Sequence, residues 1–407
     1  MVRADTRTGG REAAGGVIEG GGALAVGKPA TATARGFSWV KLTDVARLES
    51  GHTPSRRQES YWNGGIPWVG IRDATSNHGR VITETAQNIS QAGLENSSAR
   101  LLPAGTVCLS RTASVGYVVV MGTPMATSQD FLNWVCGPAV SSSYLRYVLL
   151  AEQESVRRFS HGSTHQTVYY PEAKAFHVCL PGRGEQQAIA DVLGALDDKI
   201  GLNERMAETS LAIGRSVFRQ ETQLAGVEAT VGDFATFNYG KALPAPLRQP
   251  GSVPVFGCTG QVGFHDTALT QSAHPVVGRK GANAGHVSWM PEPGWIIDTA
   301  FYAVSKRKEV SNELLYFALD AAGISALIAD SAVPGVNRDV ALRHKFHMPE
   351  FGHMERLSVQ AEALLAACQQ AARENRTLAD LRDTLLPQLI TGKLRVKDAT
   401  RVVEEAV

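Results

Sequence analysis

Residues 184–203 read GEQQAIADVLGALDDKIGLN, and their period sets them apart from everything around them. Ile189, Leu193, Leu196 and Ile200 follow a 4-3-4 step, while Asp, Lys and Glu fill the opposite side, so one apolar stripe runs along an α-helix. Met206, Ile213 and Val217 extend the step, which predicts a helix of about 30 residues or more, by the 3.6-residue period.

The flanks have another texture. From Phe37 to about Pro181, short apolar runs such as IPWVGI, GTVCLS and GYVVVMG alternate with Gly, Pro, Asn and Ser clusters, the pattern of a strand-rich domain. SSSYLRYVLLAEQESV is its clearest helical stretch. Strand-like texture resumes after about Gln223 and runs to Met348. A second helical run follows, with Leu357, Leu364, Cys368, Leu378, Leu381 and Leu385 on one side; Pro387 is expected to end or kink it at Leu386. Residues 1–35 are rich in Gly and Ala and lack aromatics, so they are expected to form a disordered tail. The chain thus divides into that tail, a first domain over 36–181, a helix over 182–226, a second domain over 227–350, a helix over 351–396 and a tail over 397–407. The connection between Phe218 and Gly232 is expected to be exposed.

The order domain, helix, domain, helix suggests a duplication, and the halves do repeat. SRTASVGYVV (110–119) aligns with GRKGANAGHVSW (278–289), which sets Arg111 opposite Arg279. SQDFLNWV (128–135) meets DTAFYAVS (298–305), AFHVCLP (175–181) meets KFHMPE (345–350), and NERM (203–206) meets NRTL (375–378). The offset changes between GGIPWVG and GSVPVFG, so the first domain carries extra residues, placed between Asn77 and Arg100. Each helix has a stripe that the other can cover, which predicts an α+β fold: two strand-rich domains in pseudo-twofold repeat whose helices pair as an antiparallel coiled coil.

Composition bounds the chemistry. Charged residues make up 19% of the 407 and the formal net charge is +1, so total charge does not by itself argue for a nucleic-acid partner. No apolar run is long enough to span a bilayer and no signal segment opens the chain, which points to the cytoplasm. Cys108, Cys136, Cys179, Cys258 and Cys368 lie far apart with no CxxC, as buried thiols would, and no metal site is expected.

A strand-rich domain ending in FHVCLPGRGEQQAIADVLGALDDKIGLNERM, then a second one whose helix closes on LLPQLITGKL, resembles the specificity subunits of type I restriction-modification enzymes over Phe37 to Leu394. The resemblance rests on EQQAIADVLGALDDKI together with the half-repeat; the second helix, MERLSVQAEALLAAC, lacks the EQQAIA pattern. It implies that each strand-rich domain is a target recognition domain reading one half of a bipartite, asymmetric DNA site, with the helix pair setting the distance between halves. It also implies that the chain has no catalysis of its own. The partners would be double-stranded DNA, two methylation subunits that bind S-adenosylmethionine and modify adenine N6, and restriction subunits that use ATP and Mg to translocate and cleave DNA.

DNA reading needs polar and cationic side chains on loops at groove depth. Two loops per domain supply them. In the first domain they carry Arg111, Thr112, Ser114, then His161, Ser163, Thr164, His165 and Gln166; in the second, Arg279, Lys280, Asn283, then Asn337 and Arg338. The plainer reading makes these turn residues that satisfy the backbone. Trp68 and Phe256 are expected in the core rather than stacked on bases. No Walker A loop, Asn/Asp-Pro-Pro-Tyr/Phe motif, G-x-S-x-G elbow or nuclease-type cluster is present, so chemistry is expected on partners. Two alternatives stand beside this: a specificity-like protein working alone as a DNA-binding or decoy module, and a coiled-coil scaffold that binds only proteins.

Overall fold

The structure is a computed structural model that describes residues 16–112, 114–162, 166–328 and 334–406. The chain falls into two compact units: residues up to Asp198 together with Leu378 onward, and Lys199–Thr377. Both boundaries lie inside the two long helices, Arg183–Ala225 and Phe351–Ile390.

In the first unit a five-stranded sheet has the order Ala46–Ser50, Phe131–Cys136, Val107–Ser110, Val118–Met121, Val81–Ile82, antiparallel except for its last pair. VCLS and VVVM are wholly buried, which is why they read as unbroken apolar runs rather than alternating ones. A three-stranded sheet places Trp62–Val69 between Ala126–Thr127 and Asn88–Ile89. Helix Ser142–Ala151 buries Tyr144, Leu145, Tyr147, Val148 and Leu149.

The second unit repeats this plan. Its main sheet runs Ala235–Tyr239, Ala300–Ser305, His274–Gly278, Val287–Met290, and its smaller sheet places Val253–Gly257 between Gly260–His265 and Trp295–Ile296. In both small sheets the central strand is parallel to one neighbour and antiparallel to the other. Helix Asn312–Ala321 takes the place of Ser142–Ala151. The first unit's additions include strand Val81–Ile82 and helix Gln91–Glu95, inside the interval 77–100 expected to hold the insertion.

The two long helices pack together, and in the second unit they run antiparallel: Asn203 meets Asn375, Ala207 meets Cys368, and Glu221 meets His353 and Arg356. Ile189, Leu193, Leu196, Leu378 and Leu385 are buried as the seam requires. Ile200, Leu364 and Leu381 are only half-buried, because the stripe drifts: past Ile200 it continues through Asn203, Ser210, Gly214 and Phe218, and Leu365 rather than Leu364 lies innermost. Met206 and Ile213 are exposed, against expectation. The seam there is polar or small, which hydrophobic periodicity does not detect. Asn203 donates to Glu374 at 3.0 Å and to Asn375 at 2.9 Å, and Gly214 faces the Phe317 ring.

Three further expectations are corrected. Residues 18–26, placed in a disordered tail, form strands Ile18–Glu19 and Leu24–Val26, and Ala23 through Val26 are fully buried. Residues 397–406, also read as a tail, belong to helix Val396–Ala406. Pro387 does not end the second long helix, which continues to Ile390; burial of Leu385, Leu386, Leu389 and Ile390 around the proline outweighs its missing hydrogen bond. The interval 218–232 is largely exposed, as expected, but holds no loop: the helix passes directly at Gly226 into strand Gly226–Thr230, and the flanking Phe218 and Val231 share one core.

Candidate nucleic-acid interface

The loops singled out in the sequence are brought together, in the same way, in each unit. In the first, Arg111 follows strand Val107–Ser110; its N–H donates to the Asp130 carbonyl at 2.8 Å and its own carbonyl accepts from the Val168 N–H at 2.9 Å. Thr112 and Thr167 form an isolated bridge, so the SRTAS loop lies against the segment holding His161 and Gln166. In the second, Arg279 follows His274–Gly278; its N–H donates to Thr299 at 2.8 Å and its carbonyl accepts from Val336 at 2.9 Å. Lys280 bridges Gly335, which lays GRKGANAG against PGVNRDV. The duplication therefore extends to individual backbone hydrogen bonds.

The arginine side chains are held alike too. Arg111 Nε donates to the Gln129 carbonyl at 3.1 Å and the guanidinium stands 5.0 Å from the Tyr170 ring centre. Arg279 donates to the Asp298 carbonyl at 3.2 Å and stands 4.9 Å from Tyr239. Arg338 approaches that same ring at 5.4 Å, so two guanidiniums share Tyr239. A planar cation resting on an aromatic face keeps unused donors and is oriented before any ligand arrives. Tyr170 and Tyr239 escaped the sequence reading, since nothing local in YYPEAK or TFNYGK links them to loops far along the chain.

The remaining candidates divide. Lys280, Asn283 and Gln166 are exposed. Asn337 caps helix Arg338–Arg343, accepting from the Asp339 and Val340 N–H groups, so its side-chain oxygen is committed to the backbone, as the plainer reading held. Thr112 and Ser114 shape the turn, with the Ser114 N–H donating to the Thr112 carbonyl. His161 is half-buried with Nε2 3.2 Å from an oxygen of fully buried Glu172, although without hydrogen-bond geometry. Ser163, Thr164 and His165 lie outside the described residues. Trp68 and Phe256 are buried, as expected of core residues. Beside the first loop pair lies a feature the sequence reading passed over: Arg56 stacks 3.7 Å from the Trp62 ring centre, and Thr53 donates to the Gln129 side chain at 2.6 Å.

No group of three or more His, Cys, Asp or Glu side chains placed to hold a metal occurs among the described residues. Burial pushes the Cys136 thiol up to about 12 and that of Cys179 to about 11, so neither is a reactive thiolate near neutral pH. No helix among the described residues is long and apolar enough to cross a membrane.

The EQQAIA motif has a structural role. Gln186 is buried; its amide donates to the Pro181 carbonyl at 2.9 Å and the Ala139 carbonyl at 3.0 Å, and its oxygen accepts the Ser141 N–H at 2.9 Å. One side chain thereby pins the helix start to the strand before it and to the neighbouring helix. In the second unit Met354 is the buried residue five past Pro349, as Gln186 is five past Pro181, and the Ser358 hydroxyl accepts the Ser311 N–H at 3.0 Å. That hydroxyl also donates to the Glu309 carbonyl at 3.0 Å, so in the second helix, which lacks EQQAIA, Ser358 ties the helix to the start of its neighbour as Gln186 does.

Residues 35–209, under half of the chain, match the family described as the type I restriction modification DNA specificity domain. Over 181 residues the chain is 31% identical to the type I restriction enzyme MjaIX specificity subunit of Methanocaldococcus jannaschii, covering 44% of this chain and 42% of that protein. It is 23% identical over 324 residues to the type I restriction enzyme EcoprrI specificity subunit of Escherichia coli, covering 73% and 80%. Among solved structures, the type I restriction-modification system S subunit from M. genitalium shares the fold with a TM-score of 0.60 at 16% identity, covering 89% of this chain and 98% of that one. The resemblance first carried by EQQAIADVLGALDDKI and the half-repeat thus holds at the level of sequence family, relatives and fold: the chain is similar to the specificity subunits of type I restriction-modification enzymes.

Proposed function

We propose that this chain is the DNA sequence-specificity subunit of a type I restriction-modification complex, binding a bipartite, asymmetric target and directing adenine methylation and restriction by partner subunits. The observation that carries the reading is the twice-built loop pair: one backbone scaffold around Arg111 and Arg279, fixed by matching hydrogen bonds, presents different side chains in each unit. A reader of two unlike half-sites needs that combination, a constant frame with variable edges.

In this reading the chain is non-catalytic and acts in the cytoplasm. Two methylation subunits supply the S-adenosylmethionine chemistry, and the restriction subunits use ATP and Mg. Neither the cofactors nor those subunits are assigned to residues of this chain. The test is genome-wide mapping of methylated adenines in cells with the chain, without it, and with residues 230–350 exchanged for the equivalent domain of another such protein. One half of the methylated site should change and the other half stay. Change in both halves, or methylation independent of the chain, would sink the proposal.

A further inference from the structure

The two units treat one equivalent strand edge differently. In the first, strand Phe176–Pro181 is paired on both sides, with Phe37–Lys41 and with Leu24–Val26. The Cys179 N–H donates to the Ala23 carbonyl and the Gly27 N–H to the Ala175 carbonyl, each at 2.9 Å. Buried Glu152 then accepts from the N–H groups of Gly21, Ala23 and Leu24 at 2.6, 2.7 and 3.2 Å. Only a slim segment fits: a Cβ on Gly20 would lie 2.4 Å from the Leu24 carbonyl oxygen and 2.6 Å from the Glu152 carboxylate.

In the second unit, strand Lys345–Pro349 has Gly226–Thr230 on one side and no strand on the other among the described residues. The registers fix the correspondence. Lys41 faces His177 and Thr230 faces Lys345, and each of Lys41 and Thr230 precedes a one-turn helix, so Phe346 occupies the position of Val178. The neighbouring helices begin at Ser141 and Ser311, which sets Ala322 in the place of Glu152. Where the first unit holds residues 20–26, the second has a cavity of about 690 Å³ lined by Arg219, Ala322, Lys345, Phe346 and His347, among others.

The lining is cationic. Arg215 is taken by Asp320 at 2.8 Å and Lys345 by Glu228 at 2.7 Å, but exposed Arg219 has no ion-pair partner among the described residues. Open strand edges are templates for β-augmentation, with main-chain hydrogen bonds giving affinity and pocket chemistry giving selectivity. We propose that the free edge of Lys345–Pro349 and its cavity receive an extended acidic segment of a partner protein, which adds a strand as residues 24–26 do in the first unit and sets a carboxylate against Arg219. The small side chain of Ala322 leaves room for it. This surface stands apart from the arginine loops and does not depend on the DNA reading.

The probe is a fluorescently labelled peptide, EGGGALAV, copying Glu19–Val26, together with a version carrying Gln in place of Glu, each titrated into the full chain by fluorescence anisotropy. Saturable binding is expected, at least fivefold weaker for the Gln peptide, at least tenfold weaker in Arg219→Glu, and absent in Ala322→Trp, which fills the cavity. Arg219→Glu lies on an exposed helix face, so its thermal melt should match the parent's and exclude misfolding. Hydrogen exchange should slow at residues 345–348 on peptide binding. Absence of saturable binding, equal affinity in the parent and Arg219→Glu, or protection confined to residues 176–179 would each overturn the proposal.

Discussion

Arg111 and Arg279 are the residues on which the functional reading turns, and their geometry makes a graded prediction. Replacing either with Ala in the assembled methylating complex should weaken DNA binding by about 1–3 kcal/mol, roughly fivefold to more than a hundredfold. If the guanidinium lies on a phosphate, the salt dependence of binding should fall by about one unit with the read sequence unchanged; if it lies on a base, one position of one half-site should relax. A titration over salt concentration with matched and mismatched duplexes separates the cases, and unchanged affinity in both variants would remove these residues from the interface. Gly214 tests packing. Alanine there gains about 1 kcal/mol of helix propensity, yet its Cβ would lie 2.2 Å from the Phe317 ring, an overlap of the kind that costs about 1–3 kcal/mol. Gly214→Ala should therefore lower the melting temperature, and a rise would show that the ring can move aside. His274 tests linkage. It is buried among Ser272, Ala303 and Asn312, and burial lowers its pKa despite the Ala303 carbonyl. A histidine depressed in the folded state contributes nothing at higher pH, because it is neutral in both states. As pH falls through about 6.5 the unfolded chain takes up the proton first, so stability drops from there toward the folded value. His274→Gln should flatten the decline of melting temperature between about pH 7 and 5. His78, lowered by burial and by Arg157 and Arg382, leaves a residual slope in the first unit.

Elements show where sequence reading succeeds and where it stops. The central helix was legible because Ile189, Leu193 and Leu196 are apolar at helical spacing; its continuation was misread because Asn203, Ser210 and Gly214 make the same contacts with polar or small groups. Residues 16–35 failed for a related reason. Their composition does look disordered, and what orders them is remote: a strand edge 150 residues downstream and the Glu152 carboxylate. Composition arguments count apolar surface and cannot see a carboxylate that satisfies three backbone donors at once. The loops were legible through the repeat, whereas Tyr170 and Tyr239 were not, since cation-π pairing between distant segments leaves no local pattern. Glu152→Ala should strand those three N–H groups and free the N-terminal strands, costing about 2–4 kcal/mol in the first unit. The measurement is hydrogen exchange at residues 21–26 beside a denaturant melt, and exchange as slow as in the parent would show that strand pairing alone holds the segment.

At the scale of the whole chain, each long helix runs through one unit boundary, Arg183–Ala225 at Asp198–Lys199 and Phe351–Ile390 at Thr377–Leu378. In the proposed function they set the spacing between the two readers. An insertion between Phe218 and Gly232 cannot test this, because Phe218 and Val231 are core residues and the helix enters its strand without a loop. The test belongs at the boundaries, in both helices at once, since lengthening one alone would slide its seam past the other. Seven residues added to each, with the heptad pattern kept, extend the pair by about 10 Å and turn it by only about 20°. At about 3.4 Å per base pair that corresponds to roughly three more unread base pairs between unchanged half-sites. Two residues added to each would turn the helices by about 200°, and methylation should then be lost. Mapping methylated adenines in cells carrying zero, two or seven added residues per helix decides the matter: an active seven-residue variant with an unchanged spacer would mean that something other than the helix pair sets the distance.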